Sequence, residues 1–330
     1  MRVFVAGATG VIGRSLVPRL VEKGHTVTAM TRRPDRKSHL AAMGAEPVVC
    51  DVYDPEGLED AVRRARPEVV VHQLTALPQA IDPRKIEEQL AANDRIRVEG
   101  TKNLMRAAVR AGARRVVAQS IAFAYAPEGG SIKPEEAPLW LAAPWPWRRS
   151  VEAVAELERR VSSTGAVEGV VLRYGYLYGP GTAYATDGSV ATLVRKRQFP
   201  IAGAGSGVFS FVHVDDAARA TVAAIEGGDI GIYNVVDDEP ASLRDWLPAY
   251  AHALGAKPPR RVFAWLARLA AGSYGLYSMT EQRGASNLRA KQELGWRPRL
   301  ATWRTGFGAA LCAETGREAR VGEPAMATGG

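Results

Sequence analysis

The chain has 330 residues, 46% of them apolar and 24% charged, which suits a globular α/β domain carrying a second lobe. Its net charge of +8 comes from short basic pairs such as Arg63–Arg64 and Arg260–Arg261, with carboxylates between them and no interleaved aromatics, which argues against a nucleic-acid partner. No run reaches the roughly 18 apolar residues of a membrane span, and the five histidines lack ligand spacing, so neither membrane nor metal is expected. Glycine arrives too early for a signal peptide, and the distant Cys50 and Cys312 suit free thiols in a reducing, cytoplasmic setting.

Taken along the chain, six short apolar runs at 2–6, 25–30, 46–50, 68–72, 114–119 and 168–174 read as strands. Amphipathic helical stretches such as 11–23, 55–65 and 98–111 separate them. Strands this apolar, alternating with helices, imply a doubly wound parallel sheet of the Rossmann kind, covered on both faces. Residues 1–175 form the dinucleotide-binding domain, and 211–236 are expected to return to it, with a strand at 231–237. Residues 176–210 and 237–315 then make a smaller, mostly helical substrate lobe, and 316–330 a disordered tail.

The first strand runs into "GATGVIG", where Gly7, Gly10 and Gly13 stand at the opening of the first helix. Glycines there permit a tight turn and a close backbone approach, so the helix amides face a pyrophosphate, with Thr9, Val11 and Ile12 alongside. The second strand ends in Thr31-Arg32-Arg33, without the carboxylate that usually accepts from the adenosine ribose of NAD. Paired guanidinium donors suit a 2′-phosphate, so NADP(H) is expected ahead of NAD(H). Asp51 and Val52, closing the third strand, are placed to meet the adenine.

With these pieces the chain resembles the extended short-chain dehydrogenase/reductases, the group of nucleotide-sugar epimerases and dehydratases. The resemblance rests on "GATGVIG", "VVHQLTA" at 70–76, "VEGTKNLMRAA" at 98–108, "VLRYGYLYGPGT" at 171–182, "FVHVDDAARA" at 211–220 and "AKQELGWRP" at 290–298. It implies a small-molecule substrate, a homodimer, and cofactor contacts from Leu74, Thr75, Ala76 and Tyr174. It also implies a Tyr-x-x-x-Lys pair on one helix face, where the ammonium lowers the phenol's pKa, aided by a Ser or Thr after the fifth strand.

Those groups are missing. With Ser150 and Ala155-Glu156 fixing the register, Trp147 stands for the tyrosine and Val151 for the lysine. Ile121 stands for the hydroxyl residue, and Arg97 for an Asn that normally precedes "GT" by three. Neither an indole nor an isopropyl group delivers a proton at neutral pH. Tyr176 and Ser120 remain as candidate catalytic groups, although strand alternation points Ser120 to the other face. Trp140, Trp145 and Trp147, with Tyr176 and Arg97, are candidate substrate contacts, and their aromatic walls suit a flat apolar molecule. The reading is an atypical NADP(H)-binding oxidoreductase or isomerase acting on an apolar carbonyl or polyketide-like molecule with a substituted proton donor. A non-redox cyclase or isomerase using the same pocket, and a cofactor-binding sensor or scaffold without turnover, stay open beside it.

Overall fold

The apolar runs form strands because their alternate side chains find cover on both sides. Val3 and Val5 point into one core, while Phe4 and Ala6 of the same strand point into another. In this computed structural model, which describes residues 1–78 and 86–315, seven strands make one parallel sheet. They are β1 (Arg2–Ala6), β2 (Thr26–Thr31), β3 (Glu46–Val49), β4 (Val69–His72), β5 (Arg115–Ile121), β6 (Glu168–Tyr174) and β7 (Gly231–Val235). Their order across the sheet is β7-β6-β5-β4-β1-β2-β3, and every pairing is parallel. The strands expected from hydrophobic runs are all present, with ends shifted by a residue or two. The tail at 316–330 and the side chain of Cys312 lie outside the described residues.

Twelve helices accompany the sheet among the described residues: α1 (Val11–Glu22), α2 (Lys37–Ala42), α3 (Pro55–Ala65), α4 (Ile86–Arg95), α5 (Thr101–Arg110), α6 (Trp147–Ser163), α7 (Ser189–Arg195), α8 (Val214–Glu226), α9 (Leu243–Ala253), α10 (Ala264–Thr280), α11 (Leu288–Glu293) and α12 (Trp303–Thr315). Leu16, Val17 and Leu20 of α1 join α8 on one face of the sheet. On the other face lie Leu58 and Val62 of α3, Leu104 and Ala108 of α5, and Leu157 and Val161 of α6. Burying each such large side chain contributes about 1.5–3 kcal/mol.

The lobe builds its own aromatic core from Tyr178, Tyr184, Phe211, Trp246, Tyr250, Trp303 and Phe307. The chain crosses between the two cores within one short strand: Phe211 packs in the lobe, and its neighbour Val212 packs under the sheet. Residues 211–213 pair with 176–178 rather than with the large sheet, so the return to the sheet starts with α8.

β1 has β2 on one side and β4 on the other, so the strand order reverses there. Crossovers from such a point leave in opposite directions and open a crevice beyond the carboxyl ends of the strands. Gly7, after β1, and His72-Gln73, at the end of β4, border it.

A dinucleotide cradle beside a relocated aromatic site

At the crevice the backbone comes too close for side chains. Gly7 adopts φ +95°, and a Cβ there would overlap the Gln73 carbonyl; a Cβ on Gly13 would strike the carbonyls of Gly7 and Ala8. Gly10 caps α1 with extended backbone and donates to the Gly7 carbonyl at 3.0 Å. No side chain caps the helix and its first turn holds no acid, so its amides around Val11 and Ile12 are open to an anion. The cradle thus fits a pyrophosphate. Thr9 is half-buried beside it.

The adenosine end is more mixed. Thr31 is buried, and its Oγ1 accepts from the Arg33 amide at 3.1 Å. The Arg33 guanidinium is engaged by Asp35 (2.7 and 3.2 Å), leaving Arg32 as the exposed cation without a carboxylate partner among the described residues. Asp51 Oδ1 accepts from the Tyr53 amide at 2.9 Å, and Asn103 Nδ2 donates to the Val52 carbonyl at 2.9 Å, fixing that corner.

Beyond β4, the Leu74 amide donates to His72 Nδ1 at 3.3 Å and the Ala76 amide to Asn93 Oδ1 at 3.1 Å; Thr75 is exposed. With Nδ1 accepting, the His72 proton sits on Nε2, 3.0 Å from Thr101 Oγ1. Burial pushes the His72 pKa down to about 4, with the charge of Arg97 adding to it. Tyr174 accepts from Gln73 Nε2 and meets Thr221 Oγ1 at 2.7 Å, so its hydroxyl is committed to the interior.

At the sheet's other candidate positions the chemistry has gone. Ser120 donates to Glu158 Oε1 at 2.6 Å, inside a buried network where Arg173 holds both Glu158 oxygens at 2.6 and 2.8 Å. Strand alternation sets Ser120 on the α6-covered face with Val116 and Ala118, where its hydroxyl is committed to Glu158. Ile121, Trp147 and Val151 instead meet in one apolar cluster with Ala124 and Val154, joined by Phe123, Trp140 and Tyr274. Trp147 is 3% exposed, and its Nε1 finds no acceptor among the described residues.

Aromatic rings continue outward from that cluster. Phe123 stacks on Tyr176 at 4.4 Å and Trp140 meets Tyr277 at 4.1 Å. The Tyr176 hydroxyl donates to Gln282 Oε1 at 2.8 Å, and burial holds its pKa well above the ordinary value, so its proton is already placed. Trp145 does not join: its ring is 58% exposed, with the Arg149 guanidinium 5.3 Å from its centre. Arg97 lies in a π-helical turn, Ile96–Gly100, between α4 and α5, with 13% of its side chain exposed and its guanidinium 3.5 Å from Asp94 Oδ1. Sequence reading missed Phe123, Tyr274, Tyr277 and Gln282; the two tyrosines at i and i+3 in "SYGLYSM" were a signal available in the lobe.

A doubly wound parallel sheet with a glycine cradle at its reversal point defines a nicotinamide-dinucleotide-binding protein of the extended short-chain type. Residues 3–235 match the NAD dependent epimerase/dehydratase family, and the chain belongs to it. It is 51% identical over 309 residues to a 3-diazoavenalumate denitrifying reductase from a Streptomyces species, covering 93% of this chain and 99% of that one. A Stigmatella aurantiaca ketoreductase of a farnesylated dihydroquinoline oxide is 26% identical, over 78% of this chain and 74% of its own. Among solved structures, the Thermus thermophilus UDP-glucose 4-epimerase in complex with NAD superposes with a TM-score of 0.74 at 26% identity, covering 96% of this chain and 99% of its own. Among the described residues no helix is long and apolar enough to cross a membrane.

Proposed function

We propose that the protein is an NADPH-dependent reductase that replaces a diazo group on a small conjugated molecule by hydrogen, releasing dinitrogen. The observation that carries this reading is the closed apolar cluster of Ile121, Trp147 and Val151 at the positions where the family resemblance places hydroxyl, phenol and ammonium. Carbonyl reduction needs a proton for the oxygen that forms at the reacting carbon. Displacement of dinitrogen needs none at that carbon, so a site stripped of its acid remains fit for it. The 51% identity to a denitrifying reductase of a diazo compound supports the same chemistry.

The residues that would hold the cofactor are the cradle at Gly7–Gly13, Thr31, Arg32, and the segment Leu74–Ala76. When bound there, the dinucleotide would supply hydride for the new C–H bond as dinitrogen left with the C–N electron pair, so that a diazonium and NADPH would balance to the arene, N2 and NADP⁺. This chain's residues Phe123, Trp140, Trp147 and Tyr176 would offer their aromatic surface to one face of a flat substrate. Preference for NADPH rests on Thr31 in place of an acid and on Arg32, because Arg33 is occupied by Asp35.

The test is single-turnover reaction of purified protein with a benzenediazonium salt and NADPH deuterated at C4, against an enzyme-free control. Deuterium at the vacated ring carbon, with stoichiometric dinitrogen and a rate above control, is expected. Hydrogen drawn from solvent, or no acceleration, overturns the reading.

A further inference from the structure

Among the described residues, the surroundings of Trp147 hold more hydrogen-bond donors than uncommitted acceptors. Arg97 offers five N–H groups, yet its one ion-pair contact among the described residues is Asp94 Oδ1 at 3.5 Å. Asp94 is itself shared: its Oδ2 takes the Ser150 hydroxyl at 3.0 Å and Arg149 Nε at 3.2 Å. Glu158, the other carboxylate that acts on Arg97, is held by Arg173 and Ser120. His72, on the β4 side, is neutral and cannot compensate a cation. Trp147 Nε1 adds a buried N–H with no acceptor among the described residues.

From the lobe side, α10 breaks at Gly272 and its second segment sets Tyr274 on the Trp147 ring, with centroids 4.4 Å apart. The Tyr274 hydroxyl is bonded to Tyr176 and lies in the field of Arg97, which works against the rise in its pKa that burial causes. The Tyr274 ring therefore packs on the cluster where the family's own phenol and ammonium are replaced, and Arg97 adjoins the same helix α6 through Asp94, which takes the Ser150 hydroxyl.

We propose that Arg97 and Tyr274 form a binding point for an anionic oxygen of the substrate conjugated to its diazo carbon, the phenolate oxygen of a diazophenol. This rests on the diazo-reductase reading and adds the substrate class to it. A diazo carbon stable enough to serve as a substrate shares its charge with a conjugated oxygen, so the molecule is an internal salt. Its diazonium end is apolar-tolerant and its oxygen end requires donors. Flat aromatic walls with a donor cluster at one point match that division. A guanidinium in low dielectric strengthens the contact with a phenolate, which is lost when the molecule is neutral.

The test has two arms. In the first, 4-nitrophenol, whose phenolate absorbs in the visible, is titrated with pH in the presence of the NADP⁺-bound protein. The wild type is expected to lower the bound probe's pKa by about one unit or more. Arg97→Lys should keep most of that shift, Tyr274→Phe part of it, and Arg97→Gln none, each variant being checked for an unchanged melting profile. An unshifted or raised pKa in the wild type, or an equal shift in folded Arg97→Gln, overturns the proposal. In the second arm, 2-hydroxybenzenediazonium is compared with benzenediazonium. A preference of about tenfold or more in kcat/KM for the hydroxylated probe, collapsing in Arg97→Gln, is expected. An absence of preference overturns the proposal. If neither probe releases dinitrogen, the diazo-reductase reading fails by itself, and the nitrophenol titration still decides whether the anion site exists.

Discussion

Trp147 and Tyr274 lie nearly face to face, ring centroids 4.4 Å apart and planes 28° from parallel, although one opens α6 and the other belongs to the lobe. The stack ties the lobe to the sheet domain at the candidate site. Replacing Trp147 by Ala removes a buried indole and leaves a cavity, so unfolding free energy should fall by about 3–5 kcal/mol. Trp147→Phe keeps the stack and deletes an N–H that has no acceptor, and should cost under about 1.5 kcal/mol. Urea denaturation of the two variants checks the ordering, and an equal loss in both would contradict it.

Gly7→Ala places a Cβ against the Gln73 carbonyl at a backbone φ of +95°. The strand β1 is otherwise untouched, so the expected outcome is a folded protein with dinucleotide affinity reduced at least about tenfold. Quenching of tryptophan fluorescence by NADPH, run beside circular dichroism, separates loss of binding from loss of fold.

Arg173 and Glu158 form a buried ion pair whose side chains are 4% and 6% exposed. Arg173 also donates to Tyr125 at 2.8 Å, and Tyr125 donates to Asn234 on β7 at 2.6 Å. Arg173→Met leaves Glu158 charged and buried, at a cost of about 3–5 kcal/mol. Adding Glu158→Leu should restore part of that loss, because the pair is costly to break and cheap to replace. A double-mutant cycle from denaturant melts measures the coupling.

Asp237, 1% exposed, has one oxygen without a hydrogen-bond partner among the described residues, and burial raises its pKa from the usual 3.8 to about 8. Between those values the folded state holds a proton that the unfolded state has released. The contribution is fully present below pH 3.8 and is lost as pH rises through about 8, with a slope of at most about 1.4 kcal/mol per pH unit. His72, held down at about 4 against 6.5, works in the opposite direction, losing stability as pH falls from 6.5 towards 4. Comparing Asp237→Asn with wild type by thermal melts from pH 5 to 9 isolates the first effect. The variant should gain on the wild type as pH rises towards about 8 and level off above it, and a constant difference throughout would remove Asp237 from the account.

The sheet was legible because its signal is local: Val3, Val5, Phe4 and Ala6 are apolar whichever face they serve, and Gly7 follows at once. The absence of acid–base groups at Trp147 and Val151 was also legible, because Ser150 fixes the register of α6. The aromatic lining from the lobe was not, since Tyr274 of α10 reaches Trp147 of α6 only through tertiary packing. Arg33 shows the converse. It reads as a phosphate ligand in the sequence, yet a carboxylate two residues on takes its guanidinium.

The strand that completes the sheet, Gly231–Val235, pairs with β6 only after the chain has visited the lobe. On a ribosome, therefore, β6 is made long before its edge can be covered, and for that interval it presents a row of unpaired backbone groups to solvent. Arg115 spans the same gap: it pairs with Glu168 on β6 and donates to the carbonyls of Ala224 and Gly228, residues made later still. Nascent chains halted before residue 224 would hold both an open sheet edge and a buried-type arginine still lacking its Ala224 and Gly228 acceptors. The vulnerable species for this protein is thus the half-synthesised one, and its handling by chaperones falls within the time needed to translate the segment from 175 to 235.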